Sequence, residues 1–345
     1  MDPLSFIIDD EYDYSGDSGE YDYGNVTEFQ SICDMIPPVT EHLFSLCSIT
    51  ILVIGLIFNA VTIHIIYSRL HLKNTINVFL LNICIADILF STYFMFTSMN
   101  ITSGWIFGQV LCKLSNAGFY SNTLASILFV TLMVYTLYKK IILKDKWVPQ
   151  DPINLFLTCV CVWTLCIIMS IPRMYVSKVR LILDKYQCEE HDYDYNWKWF
   201  MLWSNFFAAF LVPLILNIYF LWKIYKYVLT HPEFRSMYIL LKRYAMSWLV
   251  FWMPLRFILI IDWFLDFIDC WHEQTVVAMI LIAEVISHLH IIANPIIFAY
   301  SSTSFRKHLV EMVMRKKVTL ESSESSSSVY RDHLIEMVKL NTDNQ

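Results

Sequence analysis

The chain has 345 residues, of which 57% are hydrophobic, 16% aromatic and only 16% charged. Soluble domains carry about a quarter charged residues, so this composition excludes an ordinary soluble protein and favours one that lies within a membrane. The net charge of −6 is divided unevenly, because the first 30 residues are acidic and lack the apolar core of a cleavable signal peptide.

Residues 1–40 form an acidic segment with ten Asp or Glu residues and no Lys or Arg. Such a segment buries too little apolar surface to fold alone. It is either a solvated tail or a flexible arm that captures a basic partner. The acids also place four tyrosines in a sulfation context: Tyr12, Tyr14, Tyr21 and Tyr23. Asn25-Val26-Thr27 is a glycosylation sequon, which indicates an extracellular location.

Seven apolar windows follow, each long enough to cross a bilayer core of about 30 Å. They lie at residues 43–68, 75–98, 110–138, 153–172, 199–222, 244–264 and 274–303. The sequence therefore predicts an all-α membrane protein, a seven-transmembrane helix bundle. The third window is the candidate central helix, because small residues such as Ser115, Gly118 and Ser121 let neighbouring helices approach closely.

The distribution of Lys and Arg sets the predicted orientation. Eighteen of the 25 basic residues fall in the loops after the first, third and fifth windows or in the C-terminal tail, and five fall in the opposite loops. Because cytoplasmic loops carry the excess of Lys and Arg, the N-terminus is predicted outside and the C-terminus inside. The second sequon, Asn100-Ile101-Thr102, then also lies outside and is a predicted glycosylation site.

The predicted organisation has four parts: an acidic extracellular tail (1–40), the bundle (41–303), an amphipathic helix (304–318) and a Ser-rich cytoplasmic tail (319–345). The amphipathic helix carries apolar residues at helical spacing with bases on its other face, which predicts that it lies on the lipid of the inner leaflet. The Ser-rich tail is either a disordered end or a phosphorylation cluster that recruits an arrestin-like partner.

Four cysteines fall on the predicted outer side: Cys33, Cys112, Cys188 and Cys270. The compartment there is oxidising and favours disulfides. Four cysteines allow three pairings, and the residues alone do not choose among them.

Asp87 is an ionisable residue inside the second window, where a charge is costly and indicates a functional site. We expect it to face polar residues of the third and seventh helices: Asn122, Ser126 and Asn294. This cluster is either a hydrogen-bond network between helices or a site for a small hard cation such as sodium.

Arg256 and Glu284 are two further ionisable residues inside the windows, each on the outer half of its helix. They either pair across a cavity or meet a ligand that enters from outside. Prolines at Pro172, Pro213, Pro254 and Pro295 predict kinks, which are either hinges or simple packing bends.

The sequence contains no P-loop and no His-Glu-x-x-His motif, so no enzymatic activity is expected. His288 and His290 are two residues apart, which would place them on different faces of a helix and predicts packing rather than a metal site. Apart from the sodium ion, no cofactor is expected, and no nucleic-acid partner.

These positions together resemble the rhodopsin-like G-protein-coupled receptors and, within them, the chemokine receptors. The resemblance covers the whole chain. The motifs that carry it are Asn59, Leu81 through Asp87, Trp105-Ile-Phe-Gly108, Cys112, Trp163, Pro213, Phe251-Trp252-Met-Pro254, Glu284, Asn294-Pro295-Ile-Ile-Phe298 and Phe305-Arg306.

The resemblance implies a multi-pass protein of the plasma membrane with disulfides Cys112–Cys188 and Cys33–Cys270. It also implies a basic chemokine ligand that is bound by the acidic tail and the outer cavity. Glu284 would engage the N-terminus of that ligand, with Arg256 beside it in the cavity.

The chain departs from the family pattern on its cytoplasmic side. The family's Asp-Arg-Tyr falls on Thr136-Leu137-Tyr138, so Leu137 replaces the arginine that engages G protein. Further switch positions are altered to Phe298, Leu221 and Met95, whereas Trp252, Pro254 and Pro295 are kept. These departures predict weakened or lost coupling to a heterotrimeric G protein.

Such divergence is similar to that of virus-encoded CC chemokine receptors, poxviral ones especially, which would act in the membrane of the host cell. Two hypotheses follow: a receptor that couples to G protein in an altered way, and a decoy that binds and internalises chemokine without signalling. A transporter or channel is a third class, and no inverted repeat in the sequence supports it.

Overall fold

The computed structural model describes residues 38–70, 74–144, 151–182, 185–190, 195–264 and 270–314. Within these ranges the chain is helical apart from one short hairpin. The helices are α1 (Pro38–Ile65), α2 (Thr75–Ser103), α3 (Gly108–Tyr138), α4 (Pro152–Val176), α5 (Tyr195–Phe206), α6 (Val212–Val228), α7 (Arg235–Phe264), α8 (Cys270–His288), α9 (His290–Ser301) and α10 (303–314). The hairpin pairs β1 (Ser177–Ile182) with β2 (Lys185–Glu190).

Seven segments are long and apolar enough to span a membrane, which confirms the predicted fold class. They are called spans one to seven: His42–Ser68, Thr75–Ser103, Gly108–Leu143, Pro152–Val176, Phe200–Val228, Pro232–Ile261 and Thr275–Ser301. Span six begins twelve residues before the predicted window, because basic residues at its cytoplasmic end do not interrupt the helix. Long basic side chains reach the membrane surface from such positions.

Span three is the central helix of the bundle, as predicted, and it contacts spans two, four, five and six. Gly118 shows why small residues are needed along it. A Cβ atom on Gly118 would lie 2.4 Å from the ring of Tyr93, so a larger residue would push spans two and three apart.

Pro295 frees a backbone carbonyl that joins spans one and seven. Because proline has no N–H, it does not bond the carbonyl of Ile291 four residues before it. The Nδ2 of the fully buried Asn59 donates to that oxygen at 3.0 Å. The carbonyl that Pro295 leaves free therefore accepts a hydrogen bond that holds span one against span seven.

Span seven is also interrupted at Leu289, between α8 and α9. The N–H of Leu289 donates to the carbonyl of Ile286 at 3.1 Å, a tighter turn than that of an α-helix. His288 and His290, which were predicted to pack rather than to bind a metal, flank this interruption. Both imidazoles are buried, at 5.4 and 5.3 Å from the Phe90 ring between centroids.

The hairpin β1–β2 covers the outer end of span three and is held there by a disulfide. Cys188 on β2 is bonded to Cys112 on α3, with 5.6 Å between their Cα atoms. This confirms the pairing Cys112–Cys188. Cys33 lies outside the described residues and the side chain of Cys270 is not described, so the second bridge stays a prediction.

The amphipathic helix is present as α10, at the inner end of span seven. The buried ring of Phe305 lies 4.7 Å from that of Phe298, measured between centroids. Leu309 and Met312 are partly buried against the same core, whereas Val313 is exposed.

Asn100 is buried in the last turns of α2, which contradicts its prediction as a glycosylation site. Its Oδ1 accepts from the N–H of Cys188 at 2.9 Å, and its Nδ2 donates to the carbonyl of Cys188 at 3.1 Å. The second window was predicted to end at residue 98, but the helix runs to Ser103 and includes the whole sequon. The fold has no room for a glycan on this amide.

Two substitutions separate the structural role of Asn100 from the sequon. Asn100→Ala leaves both backbone groups of Cys188 without partners, at about 1–3 kcal/mol for each unsatisfied group. We expect a clear loss of thermal stability in the detergent-purified protein. Thr102→Ala destroys the sequon but keeps Asn100, and we expect it to change neither stability nor electrophoretic mobility. A glycosidase-sensitive mobility shift that Thr102→Ala removes would contradict this account.

Candidate functional site

A cavity of about 550 Å³, including its open mouth, lies at the outer end of the bundle. Spans three, five, six and seven form its walls, together with the ends of α4 and β2. Its polar and charged lining includes Asn116, Tyr120, Arg173, Glu190, Arg256 and Glu284.

Arg173 and Glu190 form a buried ion pair at one side of the cavity. The hairpin creates this pair, because Glu190 is the last residue of β2 and lies opposite Ser177 in the register. The Oγ of Ser177 donates to the carbonyl of Arg173 at 2.6 Å. Sequence reasoning missed Glu190, although its place two residues after Cys188 was a signal that it is pinned near the bundle.

Arg256 lies at the bottom of the cavity and is 6% exposed. Its guanidinium carbon is 5.3 Å from the centroid of the Trp252 ring, within the range of a cation–π contact. Its Nε is buried without a hydrogen-bond partner in the described part of the chain. The cation is therefore held by an aromatic ring.

Glu284 lines the same cavity from span seven and is 2% exposed. Between these two described residues, Arg256 and Glu284, there is no ion pair. Of the two sequence-based alternatives, direct pairing is therefore not seen, and the two side chains line the cavity at different places.

Asp87 and Asn294 meet at the centre of the bundle, as predicted. The Nδ2 of Asn294 donates to Oδ2 of Asp87 at 2.8 Å. The Nε2 of His290 lies 3.5 Å from the other oxygen, Oδ1. Sequence reasoning did not name His290 here, although its place four residues before Asn294 in α9 puts both side chains on one face of the helix.

Asn122 and Ser126 are buried on span three, but the described residues show no hydrogen bond from either of them to Asp87. The Oδ1 of Asp87 and the Nδ2 of Asn122 both lack a hydrogen-bond partner there. A buried carboxylate oxygen without a hydrogen bond is suited to a small hard cation. The residues therefore fit the expected sodium ion through Asp87.

The retained switch residues lie just below the cavity. Trp252 on span six packs edge-on against Phe90 at 6.2 Å and lies 5.3 Å from the ring of His290, between centroids. Pro254 is two residues further along α7, and Pro295 is inside α9. Because Trp252 contacts His290, movement of Trp252 would also shift the groups around Asp87.

The cytoplasmic half contains two contacts between spans six and seven that sequence reasoning missed. The hydroxyl of Tyr244 donates to the carbonyl of Asn294 at 2.9 Å, and Nη1 of Arg243 donates to Oγ of Ser301 at 2.8 Å. The altered switch residues Leu137 and Phe298 are buried in the apolar core. The inner ends of spans six and seven are thus joined by polar contacts that do not involve span three.

Several predicted site residues lie outside the described part of the chain. They are the tail tyrosines Tyr12, Tyr14, Tyr21 and Tyr23, the sequon residue Asn25, and the serines of 319–345. Their roles stay predictions.

Comparison with known proteins gives a consistent result. Residues 58–298 match the family model described as 7 transmembrane receptor (rhodopsin family). The C-C chemokine receptor type 1 of Homo sapiens is 27% identical over 317 residues, which are 86% of this chain and 86% of that protein. The C-C chemokine receptor type 8 of Homo sapiens is 26% identical over 331 residues, covering 90% of this chain and 92% of the other.

A viral protein is also similar to the chain. The G-protein coupled receptor E1 of Equine herpesvirus 2 is 23% identical over 270 residues, covering 74% of this chain and 70% of that protein. The similar proteins are named as receptors, in agreement with the expectation that the chain is not an enzyme. A viral origin of this chain stays a prediction.

Removal of one partner of the buried pair of Arg173 and Glu190 tests whether this ion pair stabilises the cavity wall. Glu190→Gln leaves Arg173 as an uncompensated buried charge, and we expect a loss of about 3–5 kcal/mol in the free energy of unfolding. The matched control is Glu311→Gln on α10. It breaks the pair with His308 at 3.2 Å, in which Glu311 is 46% exposed, and we expect a cost of at most about 1 kcal/mol. Thermal unfolding in detergent ranks the two variants, and equal losses would contradict the buried role of Glu190.

Proposed function

Because the chain belongs to the rhodopsin family of seven-transmembrane receptors, we propose that its ligand is a basic chemokine, bound at the outer face of a multi-pass plasma-membrane receptor. The observation that carries this proposal is the outer cavity, with the buried carboxylate of Glu284 in its wall. The similarity to C-C chemokine receptors over about nine-tenths of the chain supports the class of ligand.

The acidic tail supports a basic partner by its charge. Ten acids and no bases over residues 1–40 attract a cationic protein before contact and raise its rate of association. Sulfation of the tail tyrosines would add further negative charge. The tail binds the body of the ligand, and the cavity then receives a smaller part of it.

That smaller part is the N-terminus of the ligand, in this proposal. A free α-amine is a cation that matches the Glu284 carboxylate, and a charge-assisted bond between them gains strength where water is excluded. The disulfide Cys112–Cys188 keeps the hairpin at the rim of the cavity, so the entrance has a fixed shape.

Two further partners belong to the proposal. A sodium ion would be held by Asp87, and its charge would balance the carboxylate in the core of the bundle. An arrestin-like partner would bind the Ser-rich segment 319–345 after its phosphorylation.

A decoy receptor is the second candidate function, and the cytoplasmic half favours it. Leu137 is 4% exposed in the apolar core, where the family has the arginine that engages G protein. The contacts of Tyr244 and Arg243 hold span six against span seven. A receptor of this kind would bind and internalise chemokine without activating a G protein.

Chemokine binding tests the proposed function directly. Cells that express the chain should bind at least one labelled basic C-C chemokine, and Glu284→Gln should weaken this binding by about tenfold or more, because the bond to the ligand amine is lost. Glu311→Gln on the cytoplasmic α10 is the matched control and should bind like the unchanged chain. If Glu284→Gln reaches the cell surface and binds normally, Glu284 has no ligand role.

Chemokine-stimulated GTP loading, measured with ligand uptake in the same cells, separates the two candidate functions. We expect a weak response in the unchanged chain. Tyr244→Phe should raise it about fivefold, because it removes one hydrogen bond worth about 1 kcal/mol between spans six and seven. Tyr225→Phe, on the exposed face of span five, is the control. A strong response in the unchanged chain would exclude the decoy function, and uptake with no response in any variant would exclude the signalling one.

A further inference from the structure

The bottom of the outer cavity holds a cation that the described chain does not neutralise. Arg256 is 6% exposed, its Nε has no hydrogen-bond partner, and no carboxylate among the described residues forms an ion pair with it. Taking a guanidinium out of water without an anion is costly. A charge kept in this state indicates that its partner arrives from outside.

Two acidic residues line the cavity together with Arg256, and neither of them forms an ion pair with it. Glu190 is paired with Arg173, so that pair contributes no net charge to the cavity. Glu284 lines the cavity without pairing with Arg256. Neither carboxylate of the cavity lining therefore neutralises Arg256, which remains a positive group at the cavity floor.

We propose that Arg256 forms an anion subsite that binds a carboxylate of the ligand. The cavity would then prefer a protein ligand with an acidic side chain among its first few residues, behind the free α-amine. The position of the amine at Glu284 rests on the proposed function. The anion subsite is inferred separately, from the burial and the contacts of Arg256.

The geometry of the arginine suits a carboxylate. Its guanidinium carbon lies over the ring of Trp252 and its Nε has no hydrogen-bond partner, so N–H groups of the planar fork can form the two parallel hydrogen bonds that a carboxylate accepts. Leu255 and Leu259 line the same cavity, and apolar walls exclude water and strengthen the bond.

The size of the cavity limits the ligand to a short segment. Its empty space of about 550 Å³ includes the open mouth, so the enclosed part admits a short segment of chain and not a folded domain. An extended chain advances about 3.3–3.6 Å per residue, so only the first few residues of an entering N-terminus reach Arg256. The subsite thus acts on the residues that follow the amine.

The first experiment measures binding of one chemokine that carries Glu, Gln or Lys at one of its first three positions after the amine, each position being varied in turn. On the unchanged chain, one position should show binding at least tenfold tighter for Glu than for Gln, with Lys weakest. On Arg256→Gln the difference between Glu and Gln should disappear. No preference for Glu on the unchanged chain, or a preference for Lys, would overturn the proposal.

Two control variants locate the effect. Arg180→Gln removes the same charge from the hairpin, outside the cavity lining, and should keep the full preference for Glu. Glu284→Gln should become insensitive to acetylation of the ligand amine but should also keep that preference. If Arg180→Gln loses the preference as Arg256→Gln does, the charge acts at long range and the subsite is excluded.

The second experiment needs no chemokine, so that failure of the proposed function and failure of the subsite can be told apart. Thermal unfolding of the detergent-purified chain is followed with sodium phenylacetate and with phenylacetamide, which has the same shape without the charge. Phenylacetate should raise Tm in the unchanged chain and in Arg180→Gln but not in Arg256→Gln. An equal effect of acid and amide would overturn the subsite, even where a chemokine binds.

Discussion

The hydrogen bond from Asn294 to Asp87 is the interaction around which the inner bundle is arranged. It joins span seven to span two at 2.8 Å, and the carbonyl of the same Asn294 accepts the hydroxyl of Tyr244 on span six. Backbone and side-chain polar groups inside a membrane find no water and must be satisfied by one another. His290, one helical turn before Asn294, lies on the other side of Asp87 and also contacts Trp252. Through Asn294 and His290, the carboxylate of span two is therefore connected to spans six and seven and to the residue below the ligand cavity.

The outer half depends on a different set of bonds, all of which fix one hairpin. The disulfide to Cys188 and the two hydrogen bonds from Asn100 hold β2 from two directions. The buried pair of Arg173 and Glu190 fixes the end of the same strand. The cavity entrance is consequently rigid, whereas the inner contacts between spans six and seven are a few neutral or singly charged hydrogen bonds. Ligand recognition and cytoplasmic coupling are thus held by physically separate interactions.

The sequence predicted the features that depend on composition and spacing. The seven spans, the central third helix and the contact of Asp87 with Asn294 follow from apolar windows and from the cost of a buried charge. The error at Asn100 arose from the predicted end of a helix. An apolar window does not show where a helix ends or is interrupted, and a shift of a few residues decides whether a side chain is buried.

The missed residues Glu190 and Tyr244 needed a different kind of information, namely which helix or strand lies opposite. Tyr244 carries no charge and sits in an apolar window, so nothing in its sequence context separates a core tyrosine from one that bonds across helices.

The position of Tyr244 nevertheless bears on coupling. With Leu137 buried and uncharged, span three offers no ionic contact at that position to hold span six closed. The closed state then relies on the hydrogen bonds of Tyr244 and Arg243 to span seven, each neutral bond being worth about 1 kcal/mol. A ligand shifts such an equilibrium only by its difference in affinity for the two states. A cation–π contact between Arg256 and Trp252 supplies a route for that difference, because an acid bound at Arg256 alters the charge that lies over the Trp252 ring.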